Sequence, residues 1–207
     1  YKLSGKISYL FDCETERKQD LEELFIFSED ESYLDLGAYN GDTVLEFLQL
    51  TNNRCSSIIA VEPDRRNCRK LRNLRDELAL ENKFVVHEAG VWNKKAVLSF
   101  SDSGGRQSTF IDASKLEVSV DTIDSFAGSK YISYIKMDVE GAELQALEGG
   151  KTTICKYQPK LFLAAYHYDA DLFRIPLAIW QLAADYKIYL RKHPYVPAWE
   201  LNFLCIK

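Results

Sequence analysis

The feature that most constrains the fold of this chain is an alternation of short apolar runs with longer amphipathic segments. The runs typical of strands are Tyr33–Leu36, Ile58–Val61 and Phe84–His87, and the segments typical of helices between them are Thr43–Leu50 and Asp64–Leu80. Strands that alternate with helices favour a parallel sheet with right-handed crossovers. At 207 residues the chain is long enough to bury such a sheet between helices on both faces, so we predict an α/β domain.

The second half of the chain continues this alternation and ends on two strands. The predicted strands are Ile132–Met137, Leu161–Tyr166, Lys187–Leu190 and Leu201–Ile206, and the predicted helices are Ala142–Leu147 and Leu172–Ala184. Pro194 and Pro197 separate the last two strands, which lie close together in sequence. We therefore predict that these two strands form an antiparallel pair at the edge of the sheet.

Two segments fall outside the alternation. Strand-like pieces at Ala96–Ser101 and Val118–Val120 flank a polar, glycine-containing stretch, which predicts a loop or small excursion near a site. The pattern over Glu14–Phe27 predicts a helix that packs on the domain or caps it. We therefore divide the chain into an N-terminal helical extension, residues 1–30, and a main domain, residues 31–207.

Charge and cysteine content argue against several classes of protein. The chain has 26 Lys and Arg against 31 Asp and Glu, a net charge of −5, so we expect no nucleic-acid partner. No apolar run approaches the roughly 18 residues of a membrane helix, and no signal-peptide pattern is present, so we expect a cytoplasmic protein without a membrane partner. The five cysteines are odd in number and lack CxxC spacing, which fits neither a disulfide framework nor a zinc site.

The stretch from Tyr33 to Thr43 is the strongest indication of a ligand site. An apolar strand runs into a turn that contains Gly37 and Gly41, and a helix follows. Glycine allows a backbone to approach a ligand closely, and the start of a helix offers free N–H groups. Asp35 precedes the turn, where its carboxylate could hold a ligand ammonium directly or through water, or could tie down the loop.

A second acidic position points to an adenosine cofactor. Glu62 ends the second predicted strand and is followed by Pro63 and Asp64. A carboxylate about twenty residues after a glycine turn can accept hydrogen bonds from both ribose hydroxyls. The dinucleotide fingerprint GxGxxG is missing, because Ala38 and Tyr39 follow the first glycine, and a Walker phosphate loop is also missing. The turn therefore suits a cofactor that carries an amino acid and a sulfonium rather than phosphates.

Four segments together resemble the FkbM family of methyltransferases. They are Asp35–Asp42, Val61–Asp64, Val120–Asp124 and, above all, Ile135–Leu144, whose KMDVEGAE block is specific to that family. The resemblance covers residues 32–207. It implies a class I methyltransferase fold, which is a Rossmann-like three-layer sandwich around a mostly parallel seven-stranded sheet with an antiparallel edge hairpin. It also implies S-adenosylmethionine as the donor and, usually, O-methylation of natural-product or glycan hydroxyls.

The resemblance assigns positions to the cofactor. The glycine turn would line the methionine end, Glu62 would bind the ribose, and the segment after the third strand would approach the adenine. The cofactor-binding residues expected in full are Asp35, Gly37, Ala38, Tyr39, Gly41, Asp42, Glu62, Pro63, Asp64, Glu88, Ala89, Gly90 and Asp138. Tyr39 departs from the family, because many members have asparagine there. Its ring could cover the methionine moiety or narrow access to it.

A charged run predicts where catalysis takes place. Lys136, Asp138 and Glu140 follow an apolar strand, and they share one side of that strand if it persists that far. Where an acceptor hydroxyl is not already ionised, its methylation needs a general base within hydrogen-bond reach. We predict Asp138 as this base or as a ligand of the acceptor, with Glu140 next. Glu143 is equally well interpreted as a helix N-terminal charge.

His167 is the histidine with the strongest functional indication. It follows the strand Leu161–Tyr166 and stands beside Asp169 and Asp171, and its ordinary pKa suits proton transfer. We predict a role in acceptor binding or proton removal, with a purely structural role as the alternative. Asp138 could also hold a divalent cation. The sequence offers no second metal-type cluster, however, so we predict no metal site.

These features predict an S-adenosylmethionine-dependent O-methyltransferase. Its acceptor would be a small polyhydroxylated molecule, which means a sugar, a glycan or a natural product. Two alternatives remain, a catalytically silent Rossmann-like binding module and an NAD-dependent oxidoreductase. A homodimer is left open as an assembly.

Overall fold

The structure is a computed structural model that describes residues 13–101, 115–194 and 200–207. Within these ranges the strands are β1 (Ser32–Leu36), β2 (Ser57–Glu62), β3 (Phe84–Glu88), β4 (Gly90–Val91), β5 (Ala96–Ser101), β6 (Lys115–Asp121), β7 (Tyr134–Met137), β8 (Lys160–Ala164), β9 (Lys187–Lys192) and β10 (Leu201–Ile206). The helices are α1 (Arg17–Leu24), α2 (Asp42–Leu50), α3 (Arg65–Glu77), α4 (Ile123–Ala127), α5 (Glu143–Gly149), α6 (Lys151–Tyr157) and α7 (Asp171–Leu182).

The main sheet has seven strands in the order β3-β2-β1-β7-β8-β10-β9. The first five of these are parallel to one another, and β10 is antiparallel to both β8 and β9. The predicted mostly parallel sheet with an antiparallel pair at its edge is therefore confirmed. The chain order reverses between β1 and β7, and ligands of open α/β sheets bind at the carboxyl ends of the strands beside such a reversal.

Alternation along each strand separates two cores on opposite faces of the sheet. On one face Leu34 and Leu36 of β1 pack with apolar side chains of α5, α6 and α7. On the other face Tyr33 packs with apolar side chains of α1, α2 and α3. Asp35 belongs to the second face by alternation, and its register partner on β7 is Lys136. Two charged residues therefore lie side by side within a buried face.

The structure contains elements that the sequence pattern does not predict. The two-residue strand β4 pairs with β6, which pairs in turn with β5, and the three form a second sheet. The polar stretch predicted to be a loop between β5 and β6 lies outside the described residues. Helices α4 and α6 are also unpredicted, because one or two turns are too short to show a helical period. Asp124 of α4 connects them by accepting hydrogen bonds from the N–H groups of Thr152 and Thr153.

Helix α1 is shorter than the predicted Glu14–Phe27 segment, and it packs on the domain. Leu21 and Phe25 are buried in the same core as β1. Asp20 forms an ion pair with Arg191 Nε at 2.8 Å and a hydrogen bond with His193 Nε2 at 3.1 Å, and both partners follow or belong to β9. Since α1 and β1 share a core, the division of the chain at residue 30 stays a prediction.

None of the helices in the described ranges combines the length and the apolar character that crossing a membrane requires.

Candidate active site

Two glycines shape the turn between β1 and α2. Gly37 and Gly41 have φ angles of +76° and +94°, a region that residues with a Cβ rarely adopt. A Cβ on Gly37 would lie 1.9 Å from the carbonyl oxygen of Asp138, and a Cβ on Gly41 would lie 2.6 Å from Leu74 Cδ2. Glycine therefore lets the turn touch the segment after β7 on one side and helix α3 on the other.

Asp35 and Lys136 hold this turn from within the protein. Asp35 is 0% exposed, Thr43 Oγ1 donates a hydrogen bond to its Oδ2 at 2.6 Å, and Lys136 Nζ lies 3.6 Å from its Oδ1. Lys136 Nζ also donates to the carbonyl of Gly37 at 2.7 Å. Burial raises the pKa of Asp35, although Lys136 and Thr43 oppose the shift. Of the roles predicted for Asp35, these contacts favour the one in which it holds the loop. Lys136, which the sequence predicts as a catalytic residue of the charged run, is buried against the turn, and these contacts favour a positioning role for it.

Glu62 connects the end of β2 to the glycine turn. Its Oε2 accepts a hydrogen bond from the Tyr39 N–H at 2.8 Å, and its Oε1 accepts one from the Asp64 N–H at 2.9 Å. Burial raises the pKa of Glu62 in spite of these bonds. Each carboxylate oxygen has a second lone pair, so Glu62 can still accept hydrogen bonds from ribose hydroxyls. Tyr39 has a φ of +44° and is 54% exposed, so it borders solvent next to this carboxylate.

The segment after β3 lies beside the backbone of Glu62. The Ala89 N–H donates to the Glu62 carbonyl at 3.1 Å. The carboxylate of Glu88 instead pairs with Arg65 at 3.1 Å and with Arg72 at 3.3 Å, and hydrogen bonding to these two guanidinium groups lowers the pKa of Glu88. The backbone of this segment is thus next to the predicted ribose position, while the acidic side chain of Glu88 is held by α3.

Other predicted cofactor residues have local roles in the fold. The Ala38 N–H donates to a carbonyl of β2 at 3.2 Å. Pro63 and Asp64 are exposed before α3, and Asp64 Oδ1 caps that helix by accepting a hydrogen bond from its first turn at 2.9 Å. Asp42 begins α2, and Gly90 begins β4. All of these positions lie at the carboxyl ends of β1, β2 or β3, as the sequence predicts.

Three acidic residues surround His167 at the carboxyl ends of β7 and β8. His167 Nε2 lies 3.5 Å from Asp138 Oδ1 and 3.4 Å from Glu140 Oε2. Its Nδ1 lies 3.2 Å from Glu143 Oε1. The side chain of His167 is 8% exposed, and neither ring nitrogen has the geometry of a hydrogen bond to any described residue. The attraction between the ring and the carboxylates is therefore chiefly electrostatic.

A tight turn, and not a continuing strand, brings these acids together. Strand β7 ends at Met137, so the predicted alternation of side chains does not persist as far as Asp138. Glu140 and Gly141 instead have φ angles of +54° and +92°. A non-glycine residue in this left-handed region is strained, and such strain is most often found at functional sites. A Cβ on Gly141 would lie 2.5 Å from the ring of Tyr168, so this position requires glycine.

Glu143 and Tyr166 are members of the site that the sequence did not identify as such. Glu143 is 1% exposed, and its Oε1 accepts a hydrogen bond from the Val139 N–H at 3.0 Å, which ties the turn to α5. Tyr166 Oη donates to Asp138 Oδ2 at 2.9 Å. The contact between Glu143 and His167 depends on the pairing of β7 with β8, so it is visible only in the folded chain.

The carboxylates determine the charge of His167. Burial alone would lower the pKa of this imidazole, but Glu140, Glu143 and Asp138 together raise it to about 10. The ring is therefore a cation at neutral pH and cannot accept another proton in that state. Burial and Asp138 also raise the pKa of Tyr166, so its phenol stays a hydrogen-bond donor.

The same cluster has the composition of a metal site. One ligand atom from each of Asp138, Glu143 and His167 lies within 4.8 Å of the other two. Imidazole nitrogen and carboxylate oxygen are common ligands of divalent transition metals. The sequence predicts no metal site, whereas the structure brings together residues that could form one.

Comparison with known proteins agrees with this arrangement. The methyltransferase FkbM domain matches residues 35–195 of the chain. The structure is similar to the crystal structure of methyltransferase FkbM from Methylobacillus flagellatus KT, with a TM-score of 0.81 and 26% sequence identity. The similarity covers 98% of this chain and 51% of that protein, so the chain spans about half the length of this relative. No curated protein matches the sequence.

Two more distant structures share the fold and contain S-adenosylhomocysteine. TrmK from M. capricolum has a TM-score of 0.53 and 11% identity, covering 94% of this chain and 69% of TrmK. SMU.1697c from Streptococcus mutans has a TM-score of 0.52 and 11% identity, covering 91% of this chain and 92% of that protein. The predicted class I methyltransferase fold is therefore confirmed.

Proposed function

The chain belongs to the FkbM family of methyltransferases, whose methyl donor is S-adenosylmethionine, and on that premise we propose that it methylates a hydroxyl oxygen of a small polyhydroxylated acceptor. The observation that carries the proposal is the position of Asp138. Its backbone carbonyl touches the glycine turn at Gly37, and its side chain faces Tyr166 and His167. One residue thus joins the predicted cofactor site to a cluster of polar groups suited to an acceptor.

The residues around the glycine turn fit S-adenosylmethionine. Glu62 is buried at the end of β2, and both of its oxygens retain acceptor capacity for the two ribose hydroxyls. The turn between β1 and α2 leads into the start of a helix, whose dipole favours an anion such as the methionine carboxylate. The N–H groups of Asp42 and Thr43 donate to the side chains of Asn40 and Asp42, and the carboxylate would replace these local acceptors. Tyr39 is exposed beside Glu62, at the position where the family often has asparagine, and its ring would border the methionine end.

The reaction requires a group that accepts the hydroxyl proton. When bound, S-adenosylmethionine supplies an electrophilic methyl group on a sulfonium. Transfer of that methyl group to the acceptor oxygen would leave the electron pair of the carbon–sulfur bond on sulfur and would release the hydroxyl proton. His167 is already protonated at neutral pH, so Asp138 is the better acceptor of this proton in the cluster.

The two oxygens of Asp138 have different surroundings. Oδ1 is buried toward His167, whereas Oδ2 accepts a hydrogen bond from Tyr166 and has a second lone pair. The side chain as a whole is partly exposed, so an acceptor can reach it. Glu140 lies on the open side of the cluster with a largely exposed side chain, where it can bind a further hydroxyl of the acceptor. Holding the two reactants in line is expected to supply most of the rate.

Asp138→Asn tests the proposal. We expect it to bind S-adenosylmethionine as the wild type does in calorimetry, because the backbone contact to Gly37 is kept. We expect turnover to fall by about 10²–10⁴-fold, which is the usual contribution of a general base. Turnover is the release of S-adenosylhomocysteine with a panel of sugars and polyols, and mass spectrometry and NMR of the product identify the methylated atom.

The matched control is Asp185→Asn, which changes an exposed aspartate near the end of α7 and should behave as the wild type does. Wild-type turnover in Asp138→Asn, or methylation at nitrogen, would contradict the proposal. Binding of S-adenosylmethionine without product from any acceptor in the panel would favour the silent binding module instead.

A further inference from the structure

We propose that the cluster around His167 binds a divalent first-row transition metal ion through His167 Nε2 and Asp138 Oδ1, and that the exposed side chain of Glu140 completes the site by turning toward the ion. The ion would lie at the carboxyl ends of β7 and β8. This site goes beyond the proposed function, because metal binding can be measured whether or not a methyl group is transferred.

The distances from His167 Nε2 to the two carboxylate oxygens suit a shared ion. Nε2 lies 3.5 Å from Asp138 Oδ1 and 3.4 Å from Glu140 Oε2. Two ligand atoms that are each about 2.1 Å from one ion, in tetrahedral or octahedral geometry, are about 3.0–3.4 Å apart. The observed separations are longer than a good hydrogen bond and close to the separation that a shared ion imposes.

Glu143 is suited to orient the histidine rather than to bind the ion. Its Oε1 lies 3.2 Å from Nδ1, the opposite ring nitrogen from the one that faces Asp138 and Glu140. A metal-binding histidine usually directs its second ring N–H at a carboxylate, which fixes the tautomer and the ring plane. Glu143 is itself fixed by the hydrogen bond that it accepts from the Val139 N–H. The arrangement is therefore carboxylate, imidazole and then the proposed ion.

Buried polar atoms without partners point to a missing ligand. Asp138 Oδ1, Glu143 Oε2 and both nitrogens of His167 are buried and have no hydrogen bond within the described ranges. His167 and Glu143 are both more than nine-tenths buried. Buried polar atoms are rarely left unsatisfied, because the lost hydration is costly.

The charge of the cluster favours a cation. Three carboxylates face one imidazole, and no lysine or arginine of the described chain forms an ion pair with any of the three. The nearby ammonium of Lys136 contacts Asp35 and Gly37 instead. An ion bound at Nε2 would displace the proton from that nitrogen to solvent, and its two positive charges would replace the single charge of the ring among the three carboxylates.

The ion would also refine the proposed reaction, and that role rests on the proposed function. A hydroxyl bound to a divalent ion loses its proton more readily, because the ion stabilises the alkoxide. With the ion bound, Asp138 Oδ1 would be a ligand, the ion would make the acceptor hydroxyl more acidic, and Asp138 Oδ2 would take the released proton on its second lone pair. Without the ion, Asp138 accepts the proton itself.

The test is titration of the chelator-treated full chain with Mn²⁺, followed by the EPR signal of free Mn²⁺, and with Co²⁺, followed by its visible absorption. We expect saturable binding of one ion per chain. His167→Gln should abolish it, and Glu143→Gln should weaken it about 10–100-fold, as loss of an orienting partner does. The matched controls are His87→Gln on β3 and Glu148→Gln on α5, which should bind as the wild type does.

Glu140→Gln distinguishes a loss of metal binding from a loss of folding, because this side chain is largely exposed and its replacement should leave the fold intact. It should weaken Mn²⁺ binding while thermal unfolding is unchanged. No saturable binding by the wild type at millimolar Mn²⁺ and Co²⁺, or equal binding by His167→Gln and His87→Gln, would overturn the proposal. Metal binding without turnover would contradict only the proposed reaction. Turnover by a protein that binds no ion and keeps its activity after chelator treatment would contradict only the metal site.

Discussion

Glu62 and Asp138 use their carboxylate oxygens in different ways. Both oxygens of Glu62 accept backbone N–H groups, one from the glycine turn and one from the residue that caps α3. Asp138 accepts a phenolic hydrogen bond on one oxygen and directs the other toward a histidine. Glu62 is therefore arranged to hold an uncharged group with two hydroxyls, such as a ribose, in a fixed position. Asp138 is instead arranged to interact with a cation and to accept a proton.

We predict that Glu62→Gln binds S-adenosylmethionine about 10–100-fold more weakly, because hydrogen bonds to a charged group contribute about 1.5–3 kcal/mol. Calorimetric titration of the purified protein measures this. Glu77→Gln, at an exposed position on α3, is the control and should keep the wild-type affinity. Unchanged affinity in Glu62→Gln would remove the ribose assignment.

Some residues of the site were predictable from sequence, and others were not. Glu62 and Asp138 could be recognised because an acid directly after an apolar strand reaches the carboxyl edge of a parallel sheet. The contact between Glu143 and His167 could not be predicted from the sequence, because it depends on the left-handed turn at Glu140 and Gly141. The same turn explains why the sequence predicted no metal site.

At the scale of elements, long periodic segments were predictable and short ones were not. Helix α3 shows a clear helical period, strands β1, β2 and β3 are distinct short apolar runs, and all four form within a few residues of the predicted bounds. Helices α4 and α6 and the two-residue strand β4 have no such signal, because their stability comes from contacts such as those of Asp124 with α6. The position of α1 depends on partners far away in sequence, so it also could not be derived from local pattern.

We predict that Asp20→Asn destabilises the protein by about 2 kcal/mol at neutral pH, because a charged acceptor of hydrogen bonds is lost from a buried site. Asp20 ties α1 to β9 through Arg191 and His193, and Thr15 Oγ1 also donates to it at 2.6 Å. Burial on its own would raise the pKa of Asp20, but these three partners lower it. Urea unfolding followed by circular dichroism measures the change.

The sign of the pH dependence follows from the lowered pKa of Asp20. The ion pair with Arg191 and the hydrogen bonds with Thr15 and His193 contribute fully above the ordinary pKa of an aspartate, and their contribution is lost as the pH falls through the folded-state pKa of Asp20. The stability difference between wild type and Asp20→Asn should therefore shrink in acid. Asp30→Asn, at an exposed position, should cause little change at any pH. A difference that stays constant into acid would contradict the assigned role.

At the scale of the whole molecule, the strand order positions the site. The reversal between β1 and β7 places the glycine turn next to Asp138, and β2 and β8 add Glu62 and His167 on either side. The matched domain covers residues 35–195, which contain five of the seven strands of the main sheet in full and the end of β1, whereas β10 follows the matched region. The polyhydroxylated acceptor stays a prediction, and a homodimer stays open.

The most direct test of this arrangement is a crystal structure of the protein with S-adenosylhomocysteine bound. We predict that the ribose hydroxyls contact the carboxylate of Glu62 and that the homocysteine lies along the turn from Gly37 to Gly41. The sulfur should then face the cluster of Asp138 and His167. Density for the ligand at the opposite edge of the sheet, or a sulfur directed away from Asp138, would contradict the account.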